Sequence, residues 1–174
     1  MPRTTSNTIL ATVSLCLLVG CGYALVGRGS NIPVDVRRVY LEPLENRTTR
    51  SQVEQFLSQA IADELVTRQR FSLAAGAAEA DAVLAGSVVA FTVTPITFDA
   101  DGRASEYEIS ITAQMSFERT GSEEVLWSND RYVFRETYQI DPSEAGFFDR
   151  ENVAIEGSAE RFAETVVTDL LEGF

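Results

Sequence analysis

Between Glu106 and Phe117 the chain alternates without a break. Tyr107, Ile109, Ile111, Ala113, Met115 and Phe117 fall on one side, and Glu106, Glu108, Ser110, Thr112, Gln114 and Ser116 on the other. A period of two over this length predicts a strand with one buried and one wetted face. The preceding stretch, from Asp81 through ADAVLAGSVVAFTVTPITF, reads as its hairpin partner, joined through a turn at Asp99-Ala100-Asp101-Gly102. Pro95 within it predicts an edge or a bulge, because proline donates no ladder hydrogen bond. Thr120-Gly121-Ser122 turns the chain again into Val125–Tyr138, which contains the only tryptophan, Trp127. A strand over Val34–Leu41, ended by Pro43, and a short one over Arg70–Ala74 complete the extended segments.

Two segments follow the helical period instead. Val53, Phe56, Leu57, Ala60, Ile61 and Leu65 recur on one helix face, with Ser51 and Glu54 spaced as a capping box at the start. Asp141-Pro142 and Gly146 break the pattern before a last helix striped by Ile155, Ala159, Phe162, Ala163, Val166, Val167, Leu170, Leu171 and Phe174. Each stripe must be buried against something. Together these elements predict an α+β fold, a two-layer α/β sandwich with two amphipathic helices on one face of a mainly antiparallel sheet of four to five strands. The connection from the first strand through the first helix back to the sheet is expected to be a right-handed crossover. The domain is read as residues 34–174.

Residues 1–20 differ in kind. Arg3 is followed by an apolar run of 11 residues from Ile9 to Val19, shorter than the ~20 that span a bilayer and suited to a secretion signal. Leu18-Val19-Gly20-Cys21 then matches a bacterial lipobox. Small residues admit the peptidase, and only a thiol can form the thioether that carries diacylglycerol. Cys21 is therefore the expected lipidation site, residues 21–33 a lipidated tether, and Gly22 in place of Asp directs sorting to the outer membrane. Several acyl chains at ~0.8 kcal/mol per buried methylene anchor firmly. Cys16 would leave with the signal, so the mature chain would hold no thiol for a disulfide or metal.

Composition narrows the chemistry. The chain lacks histidine and lysine, and its 14 basic residues, all arginine, face 26 acidic ones for a net charge of −12. No basic footprint for nucleic acid is visible. The usual activated nucleophiles cannot be assembled without an imidazole, an amine or a free thiol. The carboxylate pairs Glu106/Glu108 and Glu123/Glu124 read as solvated surface charge rather than glycosidase machinery. No cofactor is expected.

Thr97–Glu108 places Asp99, Asp101, Gly102 and Glu108 at positions 3, 5, 6 and 12 of a calcium loop, but Thr97 stands at the first ligand position and the flanks are strands, so a plain hairpin turn is the better reading and no metal site is assigned. Asn46-Arg47-Thr48 fits a glycosylation acceptor and reads instead as a turn. Arg37, Arg38, Arg103, Arg131, Arg135 and Arg150 could grip phosphate; beside Asp130 and Glu136 they read first as surface ion pairs.

The order of these pieces carries a resemblance. Cys21-Gly22-Tyr23, the strand ending VYLEPLENRT with Glu45-Asn46-x-Thr48, Ala80-Asp81-x-x-Leu84-x-Gly86, and SEYEISITAQMSFERTGSEEVLW with Glu106-Tyr107 and the closing helix together resemble the LptE family of lipopolysaccharide-assembly lipoproteins. The resemblance implies an outer-membrane lipoprotein on the periplasmic side. It would act without catalysis as an accessory plug inside the LptD β-barrel, assisting assembly of that barrel and delivery of lipopolysaccharide to the cell surface. Lipopolysaccharide itself is a possible second partner, and Arg103 and Arg150, assigned to loops, are the residues to test for it. The competing reading is a periplasmic lipoprotein that binds envelope polymers with no barrel partner.

Overall fold

The computed structural model describes residues 32–139 and 147–173. The signal segment, the lipobox with Cys21, most of the tether, the Asp141-Pro142 and Gly146 breaks and Phe174 lie outside the described residues.

A three-stranded antiparallel meander forms the body of the sheet: β4 (Ala82–Phe98), β5 (Ala104–Arg119) and β6 (Val125–Gln139). Alternation in β5 is realised as read, since Ile109, Ile111, Ala113, Met115 and Phe117 are buried while Gln114 and Glu118 are exposed. Three short strands add to the β4 side. β1 (Arg38–Leu41) and β2 (Glu45–Asn46) run parallel to β4 at Ala82–Leu84 and Ser87–Val88, and β3 (Ser72–Leu73) runs parallel to β1. The sheet thus has six strands and is mixed, where four to five mainly antiparallel strands are expected from the sequence. The first strand is also shorter than Val34–Leu41. Val34 and Asp35 form a turn closed by the Val36 amide on the Pro33 carbonyl, so Val34 is left 82% exposed while Val36 enters the core.

Helices α1 (Val53–Thr67) and α2 (Phe147–Glu172) cover one sheet face and contact each other. α1 buries Val53, Leu57, Ile61 and Leu65; α2 buries Ile155, Ala159, Phe162, Ala163, Val166, Val167 and Leu170. These side chains join the inner sheet residues in one apolar cluster, the two-layer arrangement expected of striped helices on a half-wet sheet. Phe162 meets the rings of Tyr132 and Phe134 edge-on at 5.6 and 5.9 Å, which clamps α2 onto β6.

Two local expectations fail. No capping box forms: α1 starts after Gln52, whose φ of 68° places it in the left-handed region, and no side chain caps the helix. Glu54 is diverted to accept the Asn46 side-chain amide at 2.6 Å. Arg150 lies in the first turns of α2 rather than in a loop before it.

Pro95 satisfies both readings offered for it. Among the described residues β4 has partners on both sides only as far as Val88; beyond that β5 is its one paired strand, so a missing N–H on the outer side breaks nothing, and the ladder shifts register between Pro95 and Thr97.

Candidate functional site

The chemistry-bearing side chains are largely engaged with one another, and two of the resemblance motifs, Glu45-Asn46-x-Thr48 and Ala80-Asp81-x-x-Leu84-x-Gly86, resolve into structural joints. In Glu45-Asn46-x-Thr48, the Asn46 carbonyl oxygen accepts both the Thr48 amide at 2.9 Å and its hydroxyl at 2.8 Å. Its amide nitrogen donates to the Arg50 carbonyl and to Glu54. This is an Asx turn that leads the chain off the sheet and into α1. Arg47 pairs with Glu45 at 2.7 Å and reaches Gln114 on β5 at 3.3 Å.

Asp81 is the second joint. One carboxylate oxygen accepts the Arg37 and Arg38 amides at 3.0 and 2.8 Å, and the other accepts the Arg38 guanidinium at 3.5 Å. The Asp81 amide donates to the Arg38 carbonyl, and its own carbonyl accepts the Thr120 amide, so this residue ties together the ends of β1, β4 and β5. The two backbone donors, with the guanidinium beside them, hold the Asp81 carboxyl below its ordinary value of 3.8. A depressed folded-state value means that the stabilisation is complete above the unfolded value and is lost as pH falls through the lower, folded one. Asp81→Asn is therefore expected to melt at lower temperature than the parent at neutral pH. The gap should close as both proteins are taken below about pH 4 in a thermal-melt series.

Third is the hairpin tip. Asp99 Oδ1 accepts the Asp101 and Arg103 amides at 2.9 and 2.8 Å, Gly102 takes a φ of 77°, and the Asp99 carboxyl is held low chiefly by the Arg103 amide. Arg103 is exposed, and its guanidinium pairs with Asp99 and Asp101. The residues weighed as a calcium loop thus build the turn itself. No group of three or more metal-ligating side chains is found among the described residues. Arg103 stands at this hairpin tip, and the Arg150 backbone lies in the first turns of α2.

Ion pairing departs from neighbour-in-sequence expectation. Glu136 pairs not with Arg135 but with Arg161 of α2, because adjacent strand residues point to opposite faces and Glu136 shares the inner face with Phe134. Arg119 bridges Asp35 at 2.7 Å and Glu124 at 2.6 Å. Tyr132 donates its hydroxyl to Asp169 at 2.7 Å, and burial raises its ionisation well above the ordinary range. The Glu136–Arg161, Arg119–Asp35 and Tyr132–Asp169 pairs join distant segments and have no local sequence signal. Glu106 accepts the Thr97 hydroxyl at 2.8 Å, and across the strands Glu106 and Glu108 stand opposite Gln139 and Thr137.

The sheet face opposite the helices is polar. Thr92–Ser110–Arg135 and Thr94–Glu108–Thr137 form successive rungs, and a shallow cavity of about 300 Å³ near its middle is lined by Arg47, Ser87, Gln114, Ser116 and Asp130. A second cavity of about 340 Å³ opens beside the start of α1, between Arg50, Gln52, Phe56 and Asn152. No described helix is long and apolar enough to cross a membrane.

Known structures share this architecture. The hypothetical protein CT253 of Chlamydia trachomatis superposes with a TM-score of 0.53 at 12% identity, covering 80% of this chain and 97% of that one. The PelC dodecamer subunit of Paraburkholderia phytofirmans gives 0.51 at 15%, covering 81% and 91%. Rare lipoprotein B of Shewanella oneidensis gives 0.49 at 16%, covering 77% and 93%. At these identities the likeness to the first two is one of fold. A search of curated proteins returns no match. Residues 36–170, nearly the whole described domain, match the family model described as LptE, lipopolysaccharide-assembly, and the chain belongs to that family.

Proposed function

We propose that the chain is an outer-membrane lipoprotein that serves as the accessory plug of the lipopolysaccharide translocon, helping the LptD barrel to assemble and lipopolysaccharide to reach the surface. The observation that carries this reading is the family match across residues 36–170. The chemistry of the fold supports it. Motif residues make joints, the core is closed, and the open sheet face is polar, which suits the polar lumen of a large barrel. Residues 1–20 are the secretion signal in this reading, residues 21–33 the tether, and Cys21 the lipid acceptor that holds the domain at the correct bilayer.

The protein works by occupancy, not turnover. Depletion should lower both surface lipopolysaccharide and the amount of folded barrel, and a Glu106→Gln/Glu108→Gln double variant should restore both to parental levels. Failure of that variant with its fold intact, or an unchanged barrel after depletion, would overturn the reading. Within this role Arg103 and Arg150 are the proposed contacts to lipid phosphate. Charge reversal of both should weaken binding of purified lipopolysaccharide by about tenfold, the order expected from losing charge-assisted hydrogen bonds. A binding titration that shows no change would remove them from the path.

A further inference from the structure

We propose that the outer edge of β4 from Ala90 to Thr94 receives an extended segment of the barrel subunit as an added strand, an inference that rests on the plug reading above. β1 and β2 lie along this edge only up to Val88, where the Arg47 amide closes on the Val88 carbonyl at 2.9 Å. From Ala90 onward, β5 is the only strand paired with β4 among the described residues. In an antiparallel ladder alternate residues turn their N–H and C=O groups away from the partner, so among the described residues the outward backbone groups of this edge have no strand partner.

Exposed edges are ordinarily guarded by charge, by proline or by bulges. All 17 residues of β4 are uncharged in a chain whose net charge is −12. The guards it has are Pro95 and the register shifts between Val88 and Ala90 and around Thr97. These bracket Ala90–Thr94 and leave that stretch regular. Side chains define what fits: Phe91 and Val93 are half-buried toward the helices, and Ala90, Thr92 and Thr94 are exposed. A strand that alternates apolar with hydroxyl or small residues would extend the core over Phe91 and Val93 on one face and continue the polar rungs on the other. Strand addition of this kind takes its affinity from the main chain and its register from alternate side chains.

A second copy fits poorly. Antiparallel self-pairing centred on Thr92 would run into Pro95 and the bulge after five residues, about 17 Å of ladder. That is too little to approach the ~1,200 Å² of a stable interface between two strongly acidic domains. A segment of a larger partner already held around the domain needs no such area of its own.

Amide hydrogen exchange over residues 90–94, measured on the full-length chain alone and in the complex isolated from membranes, tests the assignment. A photo-crosslinker at Thr92, with one at Val133 of β6 as control, accompanies it. The outward amides should exchange at least about tenfold more slowly in the complex, and Thr92 should crosslink to the barrel far more than Val133 does. A barrel that co-isolates while residues 90–94 exchange at the same rate overturns the added strand and leaves the plug reading intact. Protection that appears in the chain alone and rises with its concentration, with Thr92 crosslinked to a second copy, overturns it in favour of self-pairing. Absence of any co-isolating barrel overturns both.

Discussion

Gly86→Val is expected to destabilise the domain by about 3 kcal/mol and to lower its melting temperature by about 10 °C. A Cβ at residue 86 would sit 2.5 Å from the Gln114 carbonyl oxygen, 2.6 Å from Met115 Sδ and 3.2 Å from Leu44. Met115 can swing aside; the Gln114 carbonyl belongs to the β5 backbone and cannot. Accommodation therefore means prising β4 from β5 at the point where β2 and Leu44 also press in. Gly86→Ala should follow the same direction with a smaller loss. The contrast is Gly157 in α2, where the nearest atom to an added Cβ is Arg161 Nη2 at 3.6 Å, an ordinary contact. Gly157→Ala should stabilise by about 0.5–1 kcal/mol through lower backbone entropy in the unfolded chain. Thermal and urea melts of the purified domain check both. Equal effects at the two glycines would refute the close-approach account of the Ala80-Asp81-x-x-Leu84-x-Gly86 motif.

Cys21→Ala is expected to move the protein almost entirely from the membrane fraction to the soluble periplasmic fraction with its melting temperature unchanged. Lipid anchoring through several acyl chains, each methylene contributing ~0.8 kcal/mol, exceeds any adhesion available to a domain of net charge −12 on an anionic surface. The unchanged melt follows from the lipoprotein reading, in which Cys21 belongs to the tether ahead of a domain that spans residues 34–174. Fractionation after a high-salt wash, followed by a melt of the released protein, reads both halves of the expectation. A variant that stays membrane-bound after that wash would show that something other than the thiol holds it.

The parts of the fold legible in the sequence are those whose burial repeats with a short period. β5 is half wet over its whole length, so its alternation survives intact, and the stripes of α1 and α2 are long enough to show the helical period. β2 has two residues and β3 two, too few for any period, and they join the sheet through parallel pairing to segments tens of residues away. Val34 is apolar yet exposed, which lengthens the apparent first strand. The failed capping box has a similar origin: Glu54 is at the right spacing, but Asn46 competes for its carboxylate from outside the helix.

The motif residues were legible as motifs and illegible as parts. Asp81 and Gly86 act through partners 43 and 28 positions away, so nothing local announces a bracket or a close approach, whereas the Asn46 turn shows in its own Asn46-x-Thr48 spacing. The Glu136 partner is missed for a reason that strand geometry supplies. Arg135 is adjacent in sequence but on the far face, and Arg161 arrives only when α2 folds back over β6. Arginine at the hairpin tip was visible; its engagement by Asp99 and Asp101 emerges from the tight turn that Gly102 allows.

The most direct trial of the whole account is the mass of what the full-length chain holds in its own membrane. Crosslinked membranes solubilised in mild detergent and drawn through an affinity tag on this chain should yield, by native mass spectrometry, one acylated copy bound to one much larger β-barrel. An acylated chain recovered alone, or only with copies of itself, would contradict it.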